Sequence, residues 1–125
     1  GGARYVRFLV DKIKTKGVTG WDRWFFALAA YNQGLGHLYD AMDLARRLKK
    51  NHLKWMGLKE VFPLLSYKKY YQTVKRGYCR GFEALDFVQS IRYYYYILHG
   101  LVVLARPEAK HLAHFPGFVP PDWPD

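Results

Sequence analysis

The sequence predicts an all-α domain, and three observations carry that prediction. Apolar residues recur at steps of three and four through most of the chain, the spacing that lines up side chains on one helix face. No stretch alternates apolar and polar residues as a half-buried strand would. Five of the six prolines fall after residue 105, which leaves only Pro63 inside the helical region. Residues 1–105 therefore read as one folded domain. Residues 106–125, with Pro107, Pro116, Pro120, Pro121 and Pro124, read as an extended tail.

Each element follows from its own pattern. Tyr5, Phe8, Leu9 and Ile13 form one apolar stripe with Arg4, Arg7, Lys12 and Lys14 elsewhere, and Gly17 can stop that helix. Trp24 to Tyr31 is apolar on all sides, which predicts a central helix buried all round. Asn32-Gln33-Gly34-Leu35-Gly36 breaks it, the two glycines permitting a tight turn. A third helix turns Leu38, Met42, Ala45 and Leu48 inward, and Arg46, Arg47, Lys49 and Lys50 suit its carbonyl end. After a loop at Asn51 to Trp55, Leu58, Val61, Phe62 and Leu65 suggest a short helix disturbed by Pro63. Tyr67 to Lys75 reads as a short basic helix ended by Gly77. The last and longest helix turns Leu85, Val88, Ile91, Tyr95, Leu98 and Val102 inward.

Composition narrows the classes. At 125 residues, half of them hydrophobic and 18% aromatic, the chain can bury one core, which excludes disordered and collagen-like proteins. A single cysteine, Cys79, excludes an intrachain disulfide and a Cys-based zinc site. The longest apolar run, Trp24 to Tyr31, falls well short of the ~20 residues a membrane-spanning helix needs. Gly1-Gly2-Ala3-Arg4 enters a helical pattern with no methionine and no signal peptide, so the chain reads as the middle of a longer polypeptide. Residues 1–105 carry 18 Lys and Arg against seven Asp and Glu, a net of +11. Such a surface favours anionic partners: nucleic acid, anionic lipid or a cell-wall polymer.

Several groups of residues could carry chemistry. Asp40/Asp43 and Glu83/Asp86 each put two carboxyls on one helix face, but among so many cations they read first as solvated surface. His111 and His114 lie in the Pro-rich tail with only Glu108 near as a third ligand, so no metal site is expected. The run from Arg46 to Lys59 has six cations, no acid, and Trp55 beside them, a pattern that also suits single-stranded nucleic acid. Of the four tyrosines Tyr93 to Tyr96, two read as core and two as a wall for stacking sugars.

One segment is more specific. Ala29-Ala30-Tyr31-Asn32-Gln33-Gly34-Leu35-Gly36 resembles the Ala-Ala-Tyr-Asn-x-Gly-x-Gly signature of the lysozyme-like lytic transglycosylases. Three further stretches are similar to one subgroup, the membrane-bound lytic murein transglycosylase F family. They are Gly1-Gly2-Ala3-Arg4-Tyr5, Pro63-Leu64-Leu65-Ser66 with Tyr70-Tyr71, and Gly77-Tyr78-Cys79-Arg80-Gly81-Phe82-Glu83 with the helix after it. Four collinear motifs are far more specific than one.

The resemblance implies a lysozyme-like, all-α catalytic domain that is incomplete at its N-terminus. It implies a periplasmic enzyme, peripheral to the outer membrane through the missing part, acting on peptidoglycan glycan strands. Such an enzyme cuts the β-1,4 bond between N-acetylmuramic acid and N-acetylglucosamine without water, metal or cofactor, leaving a 1,6-anhydro end. One glutamate serves as acid and base, because the attacking 6-hydroxyl is already tethered to the sugar. In the family that glutamate stands in a Glu-Ser motif upstream of the Gly-Gly-x-x-Tyr start. The glutamates here are Glu60, Glu83 and Glu108, none in such a motif, so the acid is expected before Gly1 and the chain alone should be inactive.

Tyr31 and Asn32 match the family residues that face the substrate cleft, and Phe87 stands where the family has a tyrosine near the acid. These three are the candidate substrate-binding residues. On the residues alone, Asn32 could instead cap the helix and Tyr31 could be core. Two other functions stay open: a non-catalytic peptidoglycan-binding module and, more weakly, a basic nucleic-acid binder. Loss of the preceding half should also leave apolar surface exposed around the central helix.

Overall fold

The computed structural model describes the backbone of residues 1–105 and the side chains to residue 100. The Pro-rich tail, its histidines and the side chain of Val102 lie outside the described residues. The chain divides into two compact units, Gly1–Val88 and Gln89–Asp125. In order it forms α1 (Gly2–Lys14), α2 (Trp21–Gln33), α3 (Leu35–Arg47), α4 (Trp55–Val61), a 3-10 helix (Phe62–Ser66), α5 (Lys68–Tyr71) and α6 (Gly81–Ala105). No strand occurs among the described residues. The all-α class is as expected.

In the first unit α2 packs on α1, α3 and α4, and Phe25, Phe26, Ala27, Ala29 and Ala30 are its buried residues. Phe26, Phe62, Leu9, Ile13, Leu38 and Leu58 are fully buried around it, each contributing roughly 1.5–3 kcal/mol. The expectation that α2 is buried all round is only partly met, because Trp24 and Tyr31 at its flanks are each 45% exposed. Tyr5 and Phe8 of α1 are also exposed, and Val10 takes the inward place beside Leu9 and Ile13. An apolar stripe shows which face is greasy, not how much of it a neighbour covers. Leu48 is likewise exposed, lying just past the end of α3.

Trp55 opens α4 rather than closing the preceding loop. Its ring meets Phe25, Phe26 and Phe62 at centroid distances of 6.4, 6.3 and 6.2 Å. Asp22 of α2 accepts the Trp55 backbone N–H at 2.8 Å, which caps α4 from outside. The indole is therefore core and is not a surface ring open to a ligand among the cations of Arg46 to Lys59. Pro63 converts the end of α4 into the 3-10 helix, as a proline without an N–H should. The basic helix expected over Tyr67 to Lys75 shortens to α5, followed by a turn at Gln72 and Thr73 and bends to Arg76.

Two glycines let backbone meet backbone. A Cβ on Gly57 would strike the Asn51 carbonyl, and one on Gly81 would strike the Phe62 carbonyl. Between them the Cys79 N–H donates to the Leu65 carbonyl at 3.0 Å. The start of α6 is thus held against the 3-10 helix.

Asp40 departs from the solvated role expected of it. Only 3% exposed, it accepts the Arg76 backbone N–H at 2.9 Å and an Arg76 guanidinium N–H at 3.3 Å. The Arg76 side chain lies over α3 at Gly36, where a Cβ would come within 3.0 Å of its Nε. Gly36 is helical, so of the two glycines read as a turn only Gly34, with φ of 100°, needs glycine's freedom. Burial, with the Asp40 charge adding to it, pushes the Cys79 thiol up from the ordinary 9.0 to about 12. In the second unit, Tyr93, Tyr94, Tyr95, Ile97 and Leu98 are exposed. Tyr95 and Leu98 are therefore not the inward residues their spacing suggested.

Three outcomes follow. Gly81→Ala should cost about 3 kcal/mol or more, because a rigid carbonyl stands where the methyl must go, and denaturant unfolding will show it. Asp40→Ala should cost about 1–3 kcal/mol by leaving the Arg76 N–H without its acceptor, and Asp40→Asn less. Cys79 should resist alkylation at pH 8 in the native protein and react once denaturant is added. Since its folded value lies above the unfolded one, stability owed to this group is complete below about pH 9 and falls as pH rises toward 12.

Candidate functional site

The last turn of α2 carries Tyr31, Asn32 and Gln33, and Gly34 then turns the chain into α3. The Tyr31 ring lies flat against Phe87 of α6, centroids 6.1 Å apart and planes 10° from parallel. It also meets Tyr5 at 5.9 Å with the planes tilted by 53°, and Tyr5 stacks on Phe8 at 6.1 Å. Lys12 Nζ sits 5.6 Å from the Phe8 centroid. Four rings from three helices thus form one row. Such rings offer apolar faces to a planar or pyranose ligand while Tyr31 stays wet.

Asn32 is exposed beside this row. It does not cap the helix, since that place belongs to Gly34, whose N–H donates to the Ala30 carbonyl at 2.7 Å. Tyr31 is not core. Asn32 Oδ1 accepts from Gln33 Nε2 at 2.7 Å, and the same nitrogen reaches Glu83 Oε2 at 3.4 Å. Gln33 Oε1 accepts the Arg80 backbone N–H at 3.1 Å and the Cys79 thiol at 3.5 Å. Glu83 also faces the Arg80 guanidinium at 3.7 Å.

Of the residues singled out from the sequence, Tyr31 and Phe87 touch, and Asn32 joins them through its neighbour in the chain. Glu83 comes within one side chain of Asn32, whereas Asp86, Asp43 and Glu60 do not share in this network. Asp43 pairs with Arg46 and Arg47, and Glu60 with Lys50. The sequence reading missed Gln33 and Arg80. Both stood inside quoted motifs, Gln33 at the variable place of the signature, but nothing in the spacing joins residues 47 positions apart. No group of three or more His, Cys, Asp or Glu that could hold a metal occurs among the described residues, and no described helix is long and apolar enough to cross a membrane.

The chain matches no family model. It is 46% identical over 117 residues to a membrane-bound lytic murein transglycosylase F from Methylobacillus flagellatus, covering 94% of this chain and 23% of that protein. It is 49% identical over 98 residues to the protein of that name from Pseudomonas putida, and 48% identical over 94 residues to that from Maricaulis maris. These cover 78% and 75% of this chain and 20% of each relative. The chain spans about a fifth of the length of the curated relatives it matches. With such identity over most of its residues, the chain belongs to the membrane-bound lytic murein transglycosylase F family.

Proposed function

We propose that this chain forms part of the catalytic domain of a peptidoglycan lytic transglycosylase in the periplasm, and that it supplies one wall of the glycan cleft. The observation that carries the reading is the corner where exposed Tyr31, stacked on Phe87, adjoins the exposed amide of Asn32. A pyranose presents C–H faces to rings and oxygens to an amide, and this corner offers both. Membership of the family, whose relatives bear the name lytic murein transglycosylase, supports the same substrate class.

In this reading the chain's own residues bind and orient rather than transfer the proton. Glu83 is half-exposed and committed to Arg80 and Gln33, and Glu60 to Lys50. The proton donor is assigned to another part of the catalytic domain. Holding the glycan so that its 6-hydroxyl meets the anomeric carbon is the share assigned to Tyr31, Asn32 and Phe87. The basic surface suits the carboxylates of wall stem peptides. With Trp55 in the core, the run from Arg46 to Lys59 lacks the stacking ring that a nucleic-acid reading needs.

The test is release of 1,6-anhydro-muropeptides from purified sacculi by the full-length protein. Tyr31→Ala and Asn32→Ala should each lower that release roughly tenfold or more, consistent with ~1.4 kcal/mol per lost contact. Tyr31→Phe should retain most of it if the ring face is what matters, and Glu83→Gln should remain active. Sacculus binding by the full-length protein without product would favour the non-catalytic module. Undiminished release by the Tyr31→Ala and Asn32→Ala variants would overturn the cleft assignment.

A further inference from the structure

The amide of Gln33 is half-buried and has a donor or acceptor at every side. Its oxygen faces two donors, the Arg80 N–H at 3.1 Å and the Cys79 thiol at 3.5 Å. Its nitrogen faces the carboxylate of Glu83 at 3.4 Å, which only accepts while ionised. Flipping the amide would set NH2 against N–H and C=O against a carboxylate, so one orientation alone satisfies these partners. Gln33 Nε2 then points at Asn32 from 2.7 Å and requires an oxygen there. The Asn32 NH2 is left facing away, and it has no hydrogen-bond partner among the described residues.

We propose that Gln33 is a positioning residue that fixes the Asn32 amide with its NH2 outward, making the corner beside Tyr31 and Phe87 a hydrogen-bond donor. The ligand group it takes is a neutral acceptor, such as an amide carbonyl or a ring or glycosidic oxygen, and not a cation. Without Gln33, Asn32 is free to turn either end outward, and half of its readout is lost. This rests on the reading of Tyr31 and Asn32 as glycan contacts.

Gln33→Glu in the full-length protein provides the test. It keeps the acceptor for Arg80 but replaces the donor with a carboxylate, to which Asn32 can only turn its NH2. The outward group becomes an oxygen, and KM for soluble glycan oligomers should rise about tenfold near neutral pH with a smaller change in kcat. As pH falls and the introduced carboxylate protonates, its O–H can again donate to Asn32. The ratio of variant to wild-type kcat/KM should therefore recover toward one. Gln33→Met, isosteric without hydrogen bonds, should show a smaller and pH-independent rise.

In an Asn32→Ala background Gln33→Glu should add little, since its effect runs through Asn32. The proposal is overturned if wild type is active while Gln33→Glu leaves KM unchanged, or if its deficit is the same at all pH values and persists in the Asn32→Ala background. A wild-type protein that neither binds nor cleaves glycan overturns the functional reading itself, a different result.

Discussion

Backbone against backbone, where α6 starts at Gly81 and lies on the Phe62 carbonyl, is the contact that sets where the start of α6 and the candidate site's Glu83 and Phe87 lie. The 3-10 helix beneath it exists because Pro63 withholds an N–H from the end of α4. A side chain at residue 81 would lift α6, and with it Glu83 and Phe87, away from the end of α2. The stacking of Phe87 on Tyr31 and the reach of Glu83 to Gln33 both follow from this approach. A core of Phe26, Phe62, Leu38 and Leu58 supplies bulk stability, but cores of many shapes would do that. The site's geometry is set by the glycine.

The segment between α5 and α6 has little apolar anchoring, and polar side chains hold it at both ends. Asp40 grips Arg76 through backbone and guanidinium, and Gln33 grips Cys79 and Arg80 at the far end of the segment. Both anchors come from the α2–α3 hairpin. In a chain with twice as many Lys and Arg as Asp and Glu, a buried carboxylate is the less common partner, and Asp40 is used where it fixes backbone. Its charge also helps keep Cys79 as a thiol, and only a thiol can donate to Gln33.

Helical period was enough to read α1, α3 and α6, an unbroken apolar run to read α2, and the proline to read the break after α4. Those signals are local. What stayed hidden depends on partners distant in sequence. Asp40 looked like one of a solvated pair because Arg76 is 36 positions away. Trp55 looked like a surface ring because its place among Phe25, Phe26 and Phe62 is decided by packing. Tyr31 and Asn32 were singled out through the family signature and Phe87 through a separate run, and the structure brings the three together, whereas Gln33 occupied the signature's variable place and carried no signal. Tyr5 and Phe8 followed the helical stripe faithfully and yet lie exposed, since a stripe does not say what covers it.

The division of labour at the corner follows from what rings and amides can discriminate. In the proposed function, stacking on Tyr31 and Phe87 would separate a sugar face from water but tell one hexopyranose from another poorly, because every such ring offers C–H bonds. Phe87 has no hydroxyl and so adds no polar group to this surface. Under the proposed function, directional recognition on the described surface would fall to the outward NH2 of Asn32 and to the Tyr31 hydroxyl, each without a partner among the described residues. A hydroxyl can rotate to donate or accept and so tolerates either kind of ligand atom. An amide held by Gln33 cannot. On the proposed reading, the polarity that this wall would impose on a ligand is written in the Asn32 amide, and it is only as definite as the hydrogen bond behind it.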